Sequence, residues 1–568
     1  MNKDIMKKVF KIIMEIVVIL SIVFFAYSIT PKTFQNDTFY TIKIGEHIQE
    51  NMSGISDFLP GHKGLDLQDP FSFHKDLPYM YPHWLYDLIT YKVYSINGFN
   101  SVYLLTCGLS IILGLSLYFI NRKLNKSLVI SFLVTIGSLY CLKDFIAARA
   151  QLVTFILFAF TIYNIEKFIT TKKIRYVVAL IIIPILIANI HSAVWPFYFV
   201  LYLPYIVEYF ITLIATSNLG LLMDKITLKS KKKKISLEQY NAKVDELNKK
   251  IKERENRVES ALNGTYKLNV RHEKNIKWLI LIAVVCLFTG LFTPIKDMPY
   301  SYILRTEQGE TTQNISEHLP LVLINNMNVI IILLMLLGLL TFTRTKIKIR
   351  DFFMLLGLIA LSFITQRQVS MLVLVGNFIL VRLICALITN FKNKQSKEIT
   401  SYLYIVEFSV VIMFSLIMGL NSTLNIVNKR NNEFISTQDY PVGAADYILE
   451  NIIPEVGAEN FRLYNEYNYG SYLLYRGIPV FIDSRCDLYT EEFNGSKGDD
   501  GKYHGRDIFN DAMEISRLET DYEGKFREYG ITHVITYANS KLKTELLKDS
   551  KYKQLYQDDY FIVFEKVK

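Results

Sequence analysis

The sequence predicts an α-helical polytopic membrane protein of about eleven transmembrane helices, residues 1–425, followed by a C-terminal extracytoplasmic α/β domain, residues 430–568. Three observations predict it. Apolar residues gather into runs near the ~20 residues a helix needs to cross the hydrocarbon core. The short loops between the runs are basic on one side only, and beyond residue 430 the pattern changes to short apolar strands alternating with helical stretches. Composition agrees: the 568 residues are 51% hydrophobic and 20% charged, with a mean hydropathy of +0.23. That excludes an ordinary cytosolic enzyme, a disordered scaffold and a disulfide mini-domain.

The apolar runs fall at 9–29, 101–120, 127–141, 151–169, 177–190, 193–215, 277–293, 320–341, 351–365, 369–390 and 401–420. Lys3, Lys7, Lys8 and Lys11 begin the chain as in a signal peptide. The run that follows is long and lacks a small-residue cleavage site before Pro31, so an uncleaved helix is expected. With the N-terminus inside, the inner loops hold Arg122, Lys123 and Lys126; Lys172, Lys173 and Arg175; Arg344, Lys346, Lys348 and Arg350; and Lys392, Lys394 and Lys397. The positive-inside rule is then met throughout, with the C-terminus outside. A multi-pass protein of the plasma (cytoplasmic) membrane is expected, with the lipid bilayer as its first partner.

The net charge of +10 is therefore mostly an orientation signal. The inner loop 220–275, which includes Lys231–Lys234, carries no base-stacking aromatics or recognition motif, and no nucleic-acid partner is expected. Leu237, Val244, Ile251 and Val258 recur every seven residues there, predicting a charged helix with a narrow apolar seam. It is either a solvated hairpin beside anionic headgroups or a partner-binding coiled coil. The five cysteines show no CxxC spacing and imply neither zinc site nor disulfide framework.

The first outer loop, 30–99, is too long for a connector. Helix-compatible stretches at Thr38–Gln49 and Trp84–Tyr94 alternate with turn chemistry at Pro60-Gly61 and Asp69-Pro70. Tyr79, Tyr81, Trp84, Tyr86, Tyr91 and Tyr94 suit headgroup depth, which predicts helices lying along the outer membrane surface. In the tail, Ala444–Asn451, Ser471–Tyr475 and Ser540–Leu547 read as helices. Phe461–Tyr464, Pro479–Asp483, Ile531–Tyr537 and Tyr560–Glu565 read as strands.

Asp37 follows the first span by eight residues and is a candidate catalytic carboxylate or a helix N-cap. Asp66 and Asp69 could converge to bind a divalent cation, and no other cofactor is implied. Arg149, His191, Arg305 and Arg367 sit at the outer face of different spans. Each could be a snorkelling anchor, or together they could form a pocket for an anion, since the arginine fork pairs with phosphate. Asp483, Arg485 and Asp487 form a charged knot at a strand end, read as a structural pair or as a sugar contact with stacking from Tyr467, Tyr469 or Tyr472. Cys486 reads as a buried or semi-buried thiol.

NDTFYTIKIGEHI (36–48), DPFSF (69–73) and HWLYDLITYKVY (83–94) resemble the first outer loop of bacterial GT-C-type membrane glycosyltransferases, such as protein O-mannosyltransferases and aminoarabinose transferases. RAQL (149–152), ANIHSAVW (188–195) and Glu317 follow in the same order, and residues 465–489 are similar to the tail of one subgroup. The resemblance implies a polyprenyl-phosphate-linked sugar donor, an extracytoplasmic acceptor and Asp37 as the base. It also implies substrate contacts from Arg149, His191, Arg305, Arg367, His83, Trp84, Asp69 and Glu317. The chain departs from the pattern at Asn36, where many relatives carry an acid, and at His83, where others carry an acid before Trp84. A rival reading is a non-catalytic transporter or an assembly partner of envelope polysaccharide machinery; no internal repeat of the transporter kind is found.

Overall fold

The computed structural model describes residues 3–51, 67–216, 219–230, 236–265, 267–270, 272–306, 315–343, 345–392 and 397–567. It is mostly helical, at 71%. Among the described residues seven helices are long and apolar enough to cross a membrane. Three further apolar helices, Ile174–Ile190, Ile276–Leu291 and Met327–Phe342, are shorter. Asp66, Lys231–Lys234, Arg344 and Lys394 lie outside the described residues.

The chain opens with α1 (Lys3–Ile29), α2 (Asn36–Asn51), α3 (Trp84–Asn125), α4 (Leu128–Leu142), α5 (Ala150–Thr171) and α6 (Ile174–Ile190). Within α3, Asn97 and Gly98 leave helical geometry, Gly98 with φ +57°. A glycine adopts that φ at little cost, so the interfacial and spanning parts join at a kink. Two apolar runs differ from their expected extent. The run 193–215 is broken into Ser192–Val194, Phe197–Val200 and Leu203–Thr216, because Pro196 and Pro204 lack the N–H a continuous helix needs. The run 320–341 becomes a long helix only at Met327.

The helices share one apolar core running from Val18 and Phe25 through Phe132, Phe155 and Ile187 to Leu372 and Phe378. At its far end from the tail lies a buried ion network. Arg350 donates to Glu208 at 2.8 Å and to Glu166 at 3.2 Å, and Arg382 donates to Asp351 at 2.7 Å. Charges in an apolar bundle persist where each has a partner, and this set ties four helices together.

A second core joins the outer loop to the tail. Phe39 of α2 packs edge-on against Tyr440 and Tyr472 at 4.9 and 5.2 Å. The Tyr94 and Tyr475 hydroxyls bond at 2.6 Å. Tyr79, Tyr81, Trp84 and Tyr86, expected at headgroup depth, are instead buried in protein. Tyr79, Tyr81 and Trp84 belong to the core that the loop shares with the tail, and Tyr86 packs with Ala150 and Ile190. Gly45 allows α2 and α3 to touch: a Cβ there would lie 2.1 Å from the Asp87 carbonyl oxygen. Gly45→Ala is expected to cost about 1–3 kcal/mol by overpacking, read as a lower thermal midpoint of the detergent-solubilised protein.

The tail carries a four-stranded sheet of β1 (Leu463–Tyr464), β2 (His533–Tyr537), β3 (Tyr552–Gln557) and β4 (Phe561–Lys566), in the order β1-β2-β4-β3. β1 runs parallel to β2, and the other pairs are antiparallel. β3 was not expected. Only Tyr552 of its six residues is buried, so it lacks the apolar signature of β2 and β4. Pro479–Asp483 is not a sheet strand: it makes a single bridge, Val480 to Ser72 of the outer loop. Asn465 claims its backbone instead, accepting from Phe481 N at 2.8 Å and donating to Ile482 O at 2.7 Å.

Candidate functional site

Asn36 opens α2 by donating from Nδ2 to the Tyr467 carbonyl at 3.1 Å. This fixes the first turn of α2 against the tail helix Tyr467–Tyr475 and points the adjacent Asp37 into a cavity of about 1110 Å³. Asp37 is inside the first helical turn, so the N-cap reading does not hold. Its carboxylate accepts from Arg149 Nη2, and Arg149 Nη1 donates to Glu317 at 3.4 Å. Arg149 occupies the N-cap of α5 in extended geometry, and its side chain makes no capping bond. The two carboxylates raise the Arg149 pKa against the opposing effect of burial.

Arg367 reaches the same cavity from the turn Gln366–Gln368 that starts the helix Val369–Lys392. Its Nη1 lies 3.4 Å from His318 Nε2. His83, the N-cap of α3, and His191, the C-cap of α6, line the wall with rings 4.7 Å apart, and His191 Nδ1 bonds Thr154 Oγ1 at 3.0 Å. Asp37, His83, Arg149, His191, Glu317 and Arg367 thus share one hollow, although their positions span residues 37 to 367.

Three expected contact residues lie elsewhere. Asp69 is buried beneath the cavity, accepting from Arg485 at 2.7 Å and from Ser72 N at 2.9 Å. Burial alone would raise its pKa, but Arg485 and the Ser72 hydrogen bonds hold it below the usual carboxylate range. That carboxylate is committed to Arg485, which removes it from a shared cation site. Among the described residues no group of three or more His, Cys, Asp or Glu side chains is arranged to hold a metal ion. Trp84 packs in the core between loop and tail. Arg305 turns away, donating to the Phe493 carbonyl at 3.3 Å and stacking 4.4 Å over the Tyr503 ring.

The charged knot divides. Arg485 pairs with Asp483 and Asp69, both at 2.7 Å, as a structural clamp. Asp487 and Cys486 line the cavity instead. The tail, expected some way from the helices, forms one wall of the cavity because its apolar residues share a core with α2. Tyr302 and His318 were not anticipated. Tyr302 lies one turn before Arg305, so the helical neighbours of a named cation were the available signal.

Beside the cavity, and sharing Arg149, Glu317 and Arg367 with it, is a groove of about 460 Å³. It runs between the helices Met327–Phe342 and Val369–Lys392, with Val329, Ile332 and Val373 on its walls. Asp144, Gln151, Asn325, Asn326, Asn328 and Gln366 line it as well, so the guanidinium groups stand where the cavity meets a groove of mixed polar and apolar walls.

His83, His74 and His533 have pKa values lowered by burial to about 4 from an ordinary 6.5. Asp37 partly opposes this at His83, and the Phe481 carbonyl does so at His74. All three are neutral when folded and gain protons more readily when unfolded. Their contribution to stability is full above about pH 6.5 and is lost as pH falls toward 4. Thermal unfolding in detergent should show a falling midpoint across that window, and His533→Gln should flatten part of the fall.

No protein-family model matches the chain, and the comparison with curated proteins gives no match.

Proposed function

We propose that the chain is a GT-C-like glycosyltransferase of the plasma membrane, spanning it eleven times with its N-terminus inside and the α/β tail outside. It transfers a sugar from a polyprenyl-phosphate carrier to an extracytoplasmic acceptor. The observation that carries this reading is the cavity holding Asp37, Arg149, Glu317 and Arg367 together, beside a groove of mixed lining in which Val329, Ile332 and Val373 form an apolar stretch. A lipid-borne phosphosugar carries an anion for the arginines and a polar head for the cavity.

In this reading the isoprenoid lies in the groove and the phosphate sits against Arg149 and Arg367, whose forked donors suit it. The incoming phosphate competes with Asp37 and Glu317 for Arg149, releasing the Asp37 carboxylate. The acceptor oxygen attacks the anomeric carbon, Asp37 takes the acceptor proton, and the bond from that carbon to the phosphate oxygen breaks with its electron pair. The guanidinium groups hold the departing charge where it develops. With Asp37 as the base and Glu317 paired to Arg149, a single inverting displacement is the simpler course, by analogy with glycosidases.

The test is transfer of labelled sugar from a polyprenyl-phosphate donor by membranes containing the full chain. Arg149→Ala should weaken donor affinity by about tenfold or more, since hydrogen bonds to a charged group contribute about 1.5–3 kcal/mol. Donor binding unchanged in that variant would overturn the phosphate assignment.

A further inference from the structure

The wall of the cavity formed by the tail has a chemistry of its own. Asp487 accepts a hydrogen bond from the Tyr302 hydroxyl, and the Cys486 thiol donates to its other oxygen at 3.6 Å. Among the described residues no arginine or lysine lies within ion-pair distance of it, unlike Asp37, Asp69 and Asp483 in the same region. Burial pushes the carboxyl up in pKa; the Tyr302 and Cys486 hydrogen bonds and the Arg367 charge oppose this without reversing it. Around it the cavity is aromatic and apolar, with Tyr467, Phe493 and Phe509 on the walls. The Tyr467 hydroxyl is already committed to the Ser484 carbonyl at 3.3 Å, which leaves its ring as the contact surface.

Arg485 and Arg517 of the tail also line the cavity, but the Arg485 head group is held by Asp69 and Asp483. The hydroxyls of a polyol both donate and accept, and can exchange hydrogen bonds with a carboxyl and a phenol. Its C–H faces can pack on aromatic rings.

We propose that Asp487, with Tyr302, forms a subsite for a carbohydrate moiety, in which the Asp487 carboxyl accepts hydrogen bonds from sugar hydroxyls. The subsite rests on the transferase reading only for the identity of the sugar's carrier. The charged groups that bear on Asp487 are Arg367 from the start of the helix Val369–Lys392 and Glu492 from the tail, and the Cys486 thiol faces it as a hydrogen-bond donor. The titratable phenols facing it are Tyr302 and Tyr467.

The experiment measures binding to the purified full-length chain in nanodiscs with three probes: bare polyprenyl phosphate, polyprenyl-phosphate glucose and free methyl glucoside. The variants are Asp487→Ala, Asp487→Asn and Tyr302→Phe. Asp487→Ala and Tyr302→Phe should leave bare polyprenyl phosphate within about twofold of wild type and weaken a sugar-bearing probe by about tenfold, the scale of a lost buried hydrogen bond. Asp487→Asn, which keeps one acceptor oxygen and the shape of the side chain, should lose less than Asp487→Ala.

A loss confined to the glycosylated carrier assigns the subsite to the donor sugar, and a loss confined to methyl glucoside assigns it to the acceptor. Sugar-probe affinities unchanged in both Asp487→Ala and Tyr302→Phe overturn the proposal. Equal losses in Asp487→Asn and Asp487→Ala overturn the hydrogen-bonding role of the oxygen that the amide keeps. If wild type fails to bind bare polyprenyl phosphate, the transferase reading falls, while the methyl glucoside arm still decides the role of Asp487.

Discussion

Asp37→Asn should reduce sugar transfer by about 10²- to 10⁴-fold, the usual contribution of a positioned general base. The substitution keeps the shape of the side chain and the first turn of α2, which is anchored by Asn36 on the Tyr467 carbonyl rather than by Asp37. Arg149 loses one carboxylate partner and keeps Glu317. Donor binding should therefore survive or tighten, since the phosphate no longer displaces an anion from Arg149. The expected signature is a collapse of kcat with KM for the donor unchanged or lower. It is measured with labelled polyprenyl-phosphate sugar on protein that elutes and melts like wild type. Full turnover in that variant would remove Asp37 from the chemistry.

Arg485→Ala should destabilise the assembly of loop and tail by about 3–5 kcal/mol, the cost of breaking a buried ion pair from one side. The guanidinium is 2% exposed and bonds Asp483 through Nε and Nη2 and Asp69 through Nη1. It also lies 4.8 Å over the Tyr79 ring. Removing it strands two buried carboxylates from segments far apart in the chain, so the outer loop and the tail should loosen together. The readout is early proteolytic cleavage within 67–83 and a lower unfolding midpoint. Adding Asp69→Asn and Asp483→Asn should recover part of the loss, because the penalty lies in the unpaired charges. If the triple variant is no better than Arg485→Ala, lost packing on Tyr79 and Phe71 is the larger effect.

These two sites differ in how far the sequence disclosed them. Asp37, Arg149 and Arg367 could be marked from position, because an ionisable side chain at the end of an apolar run needs a reason to be there. Arg305 carried the same mark and turns to Phe493 and Tyr503. Which arginine on an outer turn enters the hollow depends on the rotation of its helix. That rotation is set by packing against neighbouring helices, which no local pattern encodes. The IDSRCD stretch shows the same limit at shorter range. Asp483 and Asp487 are four residues apart, yet one is locked to Arg485 and the other opens onto the cavity.

By itself the sequence determined the helical architecture, because an apolar run of membrane length and a helix-breaking proline act through local backbone chemistry. It determined the core strands β2 and β4 in the same way, as apolar runs bounded by turns. Tertiary structure decided the rest: that α2 and the tail share one core, that the aromatics of the outer loop face protein, and that side chains from residue 37 to residue 487 meet around one hollow. Contacts of that sequence separation depend on how complete surfaces fit together, and a surface exists only after the elements have packed.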